Sequence, residues 1–194
     1  MIHNDRPLYL PVILGTSRQG RMSEPVARFV HEELAERPGV ESELLDVLQF
    51  HLPRQDAGRA IALPEFSERM EQADGVVIVA PEYNHGYPGA LKRLLDTALP
   101  EYVHEAAGVV GVSSGPFGGT RMVQNLLPVL RELGLVTIFW DVNVSQVHAG
   151  FDDSGKLQDP ALPARMDKFL KELVWMARTL RYGRRHISID RGQA

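Results

Sequence analysis

Residues 8–23 read LYLPVILGTSRQGRMS. The first seven are almost continuously apolar, the next nine are dominated by glycine, hydroxyl and arginine residues, and Val26, Phe29, Val30 and Leu34 then repeat at helical spacing. An apolar run of strand length without alternation belongs to a strand buried on both faces, and a repeat of three and four residues belongs to a helix with one buried stripe. A buried strand that passes through a short polar loop into a helix opens a right-handed βαβ unit, the building block of a doubly wound parallel sheet. The loop is spaced like the triphosphate-binding G-x-x-x-x-G-K-[ST] at Gly15 and Gly20, but Arg21 and Met22 stand where lysine and a hydroxyl belong. A triphosphate needs both of those groups. What the loop suits is one compact phosphate, offered the hydroxyls of Thr16, Ser17 and Ser23, the Arg18 guanidinium and the N–H groups of a helix start. The competing reading is a tight turn with Ser23 as helix cap.

Outward from this segment the pattern repeats. Apolar runs occur at 76–80, 109–112 and 136–140, with a weaker strand at 42–47. Between them lie helical patterns on Phe66 and Met70, on Leu91, Leu94, Leu95 and Ala98, and on Met122, Val123, Leu126, Leu127, Leu130 and Leu133. A last helix over 162–180 carries Met166, Phe169, Leu170, Leu173, Val174 and Ala177, and Pro128 is expected to kink the helix before it. Strand and helix alternating in this way predict an α/β three-layer sandwich. Ligands of such folds sit at the carboxyl ends of the strands, which selects the loops 15–23, 81–89 and 113–120.

The second loop, PEYNHGYPG, has its path set by Pro81, Pro88 and Gly89, leaving main-chain groups of Glu82, Tyr83, Asn84 and His85 to face the polar edge of a flat heterocycle. Tyr83 or Tyr87 offers stacking area. The third, SSGPFGGTR, is glycine-rich, so a ligand is expected against it, with Ser113, Ser114 and Gly115 as donors; a flexible connection with helix capping is the alternative.

Composition narrows the chemistry. The chain has 194 residues, 44% of them hydrophobic, enough for one generous core. Its 21 basic and 25 acidic residues give a net charge of −4, with no general attraction to nucleic acid or an anionic membrane. No run approaches a membrane span and MIHNDRP lacks the order of a secretion signal, so a cytoplasmic protein is expected. The locally basic C-terminal stretch RYGRRHISIDRGQA reads as a solvated tail. Absence of cysteine removes disulfides, thiolate nucleophiles and thiolate metal sites, and the seven histidines show no ligand pair, so no metal site is expected. Redox chemistry, if present, must come from a cofactor.

The segments GTSR (15–18), PEYNHGYPGALKRLLD (81–96) and SSGPFGGTRMVQNLLPVLRELG (113–134), in this order and at these separations, resemble the NADPH-dependent FMN reductase family of flavodoxin-like proteins, which includes quinone, azo-dye and chromate reductases. The likeness runs from about residue 8 to 180 and includes FDDSGKLQDP (151–160). It implies one domain over 1–194 with a flavodoxin-like five-stranded parallel sheet in the order 2-1-3-4-5. It also implies that Thr16, Ser17, Arg18 and Ser23 hold the FMN phosphate. Arg21 stands where the family has a serine and is a candidate to replace it. Pro81, Glu82, Tyr83 and Asn84 would border the isoalloxazine, and Ser113, Ser114, Gly115 and Gly118 would meet it from the third loop. His85 and Tyr87 are candidates for the substrate pocket.

With FMN carrying hydride at N5, no residue of the chain need be catalytic in the covalent or acid–base sense. The resemblance implies NADPH or NADH as reductant, a quinone-like or other small acceptor, ping-pong turnover, and a homodimer or homotetramer whose partner's aromatic residues close the site; Phe117, Tyr102 and Trp140 are candidates for that role, with core or loop packing as the favoured reading of each. Two other readings stand beside it: a flavodoxin-type electron carrier, and a flavin-independent interaction module of the same fold. The mild acidity and Arg18 in the first loop favour an enzyme over a carrier.

Overall fold

The structure, a computed structural model, describes residues 6–52 and 63–188. In chain order its elements are β1 (Leu8–Tyr9), β2 (Val12–Leu14), α1 (Ser23–Ala35), β3 (Val40–Glu41), β4 (Leu44–Asp46), α2 (Pro64–Gln72), β5 (Gly75–Pro81), α3 (Gly89–Leu95), β6 (Ala106–Val112), α4 (Thr120–Glu132), β7 (Val136–Thr137), β8 (Val142–Val144), α5 (Val147–Gly150) and α6 (Leu162–His186). The main sheet runs β4-β2-β5-β6-β7, β8 also pairs with β6, and β1 pairs with β3. Every pairing is parallel. Because β1 runs on into β2, β3 into β4, and β7 and β8 follow one another along β6, the order is that of five strands, three of them interrupted, 2-1-3-4-5. This is the flavodoxin-like sheet the sequence predicts.

The interruptions correct the expected strand boundaries. Leu8, Leu10 and Val12 donate without a break to the carbonyls of Gly39, Glu41 and Glu43 at 2.9, 2.9 and 2.8 Å. On the other side, the Tyr9 N–H is taken by the Asp74 carboxylate and Pro11 has no N–H to give, so pairing with β5 starts only at Val12. The run at 136–140 is also not one strand. Ala107 faces Thr137 and Val110 faces Val142, so four residues (138–141) oppose two (108–109). This edge bulge throws Phe139 and Trp140 outward, 73% and 37% exposed, with the Lys168 ammonium 3.5 Å from the Trp140 ring centre. Pro128 lies on the exposed side of α4, which continues unbroken across it.

Two apolar layers fill the spaces above and below the sheet. Val26, Val30 and Leu34 of α1 pack with Met166, Phe169 and Leu173 of α6 on one face. On the other face Phe66 and Met70 of α2, Leu91 and Leu94 of α3, and Met122 and Leu126 of α4 close the second core. Tyr102 is buried in this layer, where it is a packing residue. α6 reaches the sheet over Gly108, where any Cβ would come within 2.5 Å of the Phe169 ring.

The C-terminal basic stretch is not simply a solvated tail. α6 extends to His186, beyond the predicted 180, and turns Arg181 and Arg184 towards Asp74 at the amino edge of the sheet. Residues 189–194 of that stretch lie outside the described residues, as do 1–5. Among the described residues no helix is long and apolar enough to cross a membrane.

Candidate functional site

The strands β2, β5 and β6 end side by side, and their three following loops form the walls of one cavity of about 470 Å³. The first loop leaves β2 with Gly15 still donating to Val79 at 2.9 Å. It is then held from inside the protein. Arg21, whose side chain is only 8% exposed, donates to the Thr16 carbonyl at 2.6 Å and forms a two-pronged pair with Asp46 on β4, while its Nε reaches Glu24. Burial works against the Arg21 charge, but the hydrogen bonds and charges of Asp46 and Glu24 outweigh it and raise its pKa. Its guanidinium is therefore committed to the fold.

Ser23 stands differently. It opens α1 with 2% of its surface exposed, lines the cavity, and its Oγ has no hydrogen-bond partner. The N-cap position is Met22, with no side-chain cap, so the capping role considered for Ser23 is not the one it plays. A buried hydroxyl without a partner is costly unless something arrives to use it, and here it lies at the positive end of a 13-residue helix.

The second loop forms a tight turn. Tyr83 and Gly86 exchange both backbone hydrogen bonds at 2.9 Å, across Asn84 and His85, which hold positive φ values of 49° and 67°. Two consecutive left-handed residues make a mirror-image hairpin turn, a conformation Asn and His tolerate better than most. Several main-chain groups expected to face a ligand are thereby used: Glu82 N–H goes to Val112, Tyr83 pairs with Gly86, and the His85 carbonyl accepts from Asn125 at 2.7 Å. The Glu82 carboxylate accepts from Arg121 twice, from its N–H at 3.1 Å and its guanidinium at 2.8 Å.

In the third loop most of the glycines serve packing rather than a ligand. Gly118 and Gly119 have φ of 61° and 80°; a Cβ on the first would fall 2.7 Å from Asn143 and one on the second 2.7 Å from the Val112 nitrogen. The loop folds down onto β6 and β8, and only a glycine backbone fits there. Ser113 Oγ fixes the bend by donating to the Gly115 carbonyl and accepting from Gly118. A Cβ on Gly115 would meet nothing within 4 Å, and the residue lines the cavity.

Of the residues the sequence singled out, Arg18, Arg21, Ser23, Pro81, Glu82, Tyr83, Ser113, Ser114 and Gly115 line this cavity. Thr16, Ser17, Asn84, Gly118, His85 and Tyr87 do not: Thr16 points to Tyr83, Asn84 and His85 are exposed at the turn, and Tyr87 leans on the second core. Phe117 is on the wall, 58% exposed, with the Arg121 guanidinium 4.4 Å above its ring, whereas Trp140 lies on the edge bulge. Arg121 and His148 complete the wall and were not read as ligand residues from sequence. Arg121 was readable, since it directly follows the third loop. His148 was not, because only the pairing of β8 with β6 carries α5 to Ser114, whose Oγ lies 3.3 Å from the imidazole Nε2.

This donor set suits a singly phosphorylated planar ligand. The wall offers the unpartnered Ser23 hydroxyl and Arg18, which among the described residues has no carboxylate partner, together with Tyr83, Gly115 and Phe117. The volume lies within the range of small-molecule sites.

Comparison with known proteins agrees. The family described as NADPH-dependent FMN reductase matches residues 10–149. A NAD(P)H-dependent FMN reductase of Pseudomonas aeruginosa is 30% identical over 152 residues, 74% of this chain and 82% of that protein. A quinone reductase of Pseudomonas putida is 31% identical over 171 residues, covering 81% and 90%. Among solved structures, the flavoenzyme NAD(P)H:(acceptor) oxidoreductase FerB of Paracoccus denitrificans superposes with a TM-score of 0.74 at 25% identity, over 89% of this chain and 98% of that one. The family match runs from just before β2 into α5 and so takes in every loop around the cavity: the chain belongs to the NADPH-dependent FMN reductase family, with FMN as cofactor and NAD(P)H as electron donor.

Proposed function

We propose that this protein passes a hydride pair of electrons from NAD(P)H to a quinone-like or other small flat acceptor, the two substrates using one cavity mouth in turn. FMN bound in the cavity supplies the redox chemistry. The chain supplies position. Ser23 and Arg18 hold the phosphate at the start of α1, Pro81 to Tyr83 and Ser113 to Gly115 border the ring, and Phe117 with Arg121 stands at the mouth. The observation that carries this reading is the buried, unpartnered Ser23 Oγ in the cavity wall. The quinone-like acceptor rests on the likeness to quinone reductases. His85 and Tyr87 lie outside the wall, so acceptor contacts are assigned to Phe117 and His148 in their place.

The reading is tested by anaerobic addition of NADPH and of NADH to the FMN-loaded protein, followed by steady-state rates with a benzoquinone. Bleaching of the flavin and parallel double-reciprocal lines are expected. A flavin that neither nicotinamide bleaches would leave an electron carrier, and intersecting lines would refute alternation at one mouth. Arg18→Ala is expected to weaken FMN binding by about 1.5–3 kcal/mol, the worth of a hydrogen bond to a charged group. Fluorescence titration with an unchanged Kd would show that the first loop does not bind the phosphate.

A further inference from the structure

Both groups that fix Arg18 lead back to Tyr83. The Tyr83 hydroxyl lies 3.0 Å from Thr16 Oγ1, and that same oxygen accepts the Arg18 backbone N–H at 3.3 Å. The Arg18 side chain lies over the Tyr83 ring, with Cζ 4.3 Å from its centre. Thr16 is 1% exposed and is absent from the cavity wall, while its carbonyl takes the Arg21 guanidinium that is anchored on Asp46. The hydroxyl that the family resemblance assigns to the phosphate is thus engaged by Tyr83 of the second loop and belongs to a residue that does not line the cavity. Tyr83 in turn is rigid, because its backbone closes the turn with Gly86 and the neighbouring His85 carbonyl is held by Asn125 on α4.

We propose that Tyr83 is a positioning residue for phosphate recognition: through the Thr16 hydroxyl it sets the Arg18 backbone, and through its ring it holds the Arg18 guanidinium ready at the cavity. The second loop thereby preorganises the first. A cationic side chain with four rotatable bonds loses entropy when it engages a phosphate, and a chain already held in a narrow set of rotamers loses less. The inference rests on the proposed placement of the FMN phosphate at the first loop.

Its signature is a change in the advantage of FMN over riboflavin, which has the same ring and no phosphate. The test measures Kd for both ligands by flavin fluorescence in wild type, Tyr83→Phe, Thr16→Val, Thr16→Ser and Arg18→Ala, and in Arg18→Ala combined with Tyr83→Phe; near-ultraviolet circular dichroism verifies folding. Tyr83→Phe and Thr16→Val are each expected to reduce the FMN-to-riboflavin affinity ratio about threefold to tenfold, the range of one neutral hydrogen bond, so that FMN binding falls by that much more than riboflavin binding. Thr16→Ser, which keeps the hydroxyl, restores the ratio. In the Arg18→Ala background Tyr83→Phe has no further effect. Equal weakening of both ligands, or a Tyr83→Phe effect that survives without Arg18, overturns the assignment. If Arg18→Ala itself leaves the ratio unchanged, the failure lies with the phosphate placement; if Arg18→Ala collapses the ratio and Tyr83→Phe does not change it, the failure lies with Tyr83.

Discussion

Replacing Asp74 with alanine is expected to lower the unfolding free energy by about 3–5 kcal/mol, the cost of removing one member of a buried, hydrogen-bonded ion-pair network. Asp74 is fully buried at the amino edge of the sheet, where β5 begins. It accepts from Arg6 at 2.7 and 3.1 Å, from the Tyr9 N–H at 3.0 Å, from Arg181 at 3.1 Å and from Arg184 at 3.3 Å. Three elements distant in sequence, the N-terminal segment, β5 and the end of α6, therefore meet on one carboxylate. Without it, Arg181, 5% exposed and with a charge that burial already disfavours, loses this carboxylate from among its partners, and β1 loses a backbone acceptor. Removing Arg6 instead, with 42% of its side chain exposed, is expected to cost under about 1 kcal/mol, as for other solvated pairs. Urea unfolding at neutral pH checks both; equal losses for the two variants would show that burial does not set the difference. The node lies at the sheet edge opposite the cavity, so folded Asp74→Ala protein keeps its FMN affinity.

The separation of the two edges also explains what could be read in the sequence. Strands β5 and β6 were legible because both of their faces are covered, which forces unbroken apolar runs such as 75–81. The broken strands were not, since a break depends on what the neighbour needs: Pro11 matters only because its missing N–H faces β5, and the 138–141 bulge exists only by comparison with β6. The three ligand loops could be found from glycine, serine and proline clustering after strands. Individual roles within them could not. Gly118 reads as a ligand-facing glycine until Asn143 is seen beneath it, and Arg21 reads as a phosphate ligand until Asp46 comes to lie beside it. The basic C-terminal residues read as a tail because Asp74 and Glu105, the acids that draw Arg181 and Arg184 inward, are far away in sequence.

Stability is expected to fall as pH rises through the neutral range because of Glu105, and Glu105→Gln is expected to abolish that contribution to the fall. Glu105 is 6% exposed and its Oε2 has no partner, while Oε1 lies 3.2 Å from Arg184. Burial is the main cause that raises its pKa to about 8; Arg184 and Arg6 oppose the rise, and the Asp74 carboxylate adds to it. In the unfolded chain the same group titrates near 4.5. Between these values the folded protein binds a proton that the unfolded chain has released, so the stabilisation is complete below about pH 4.5 and is lost progressively up to about pH 8. The slope over that window is about −1.4 kcal/mol per pH unit from this one group. Glutamine keeps an acceptor for Arg184 and never ionises. At pH 4.5 the variant is therefore expected within about 1 kcal/mol of wild type, the scale of one exchanged hydrogen bond, and at pH 8.5 to be more stable by several kcal/mol. Urea unfolding of both proteins at half-unit steps of pH measures the divergence. Parallel curves would show that Glu105 is ionised in the folded protein throughout, with its charge balanced by Arg184.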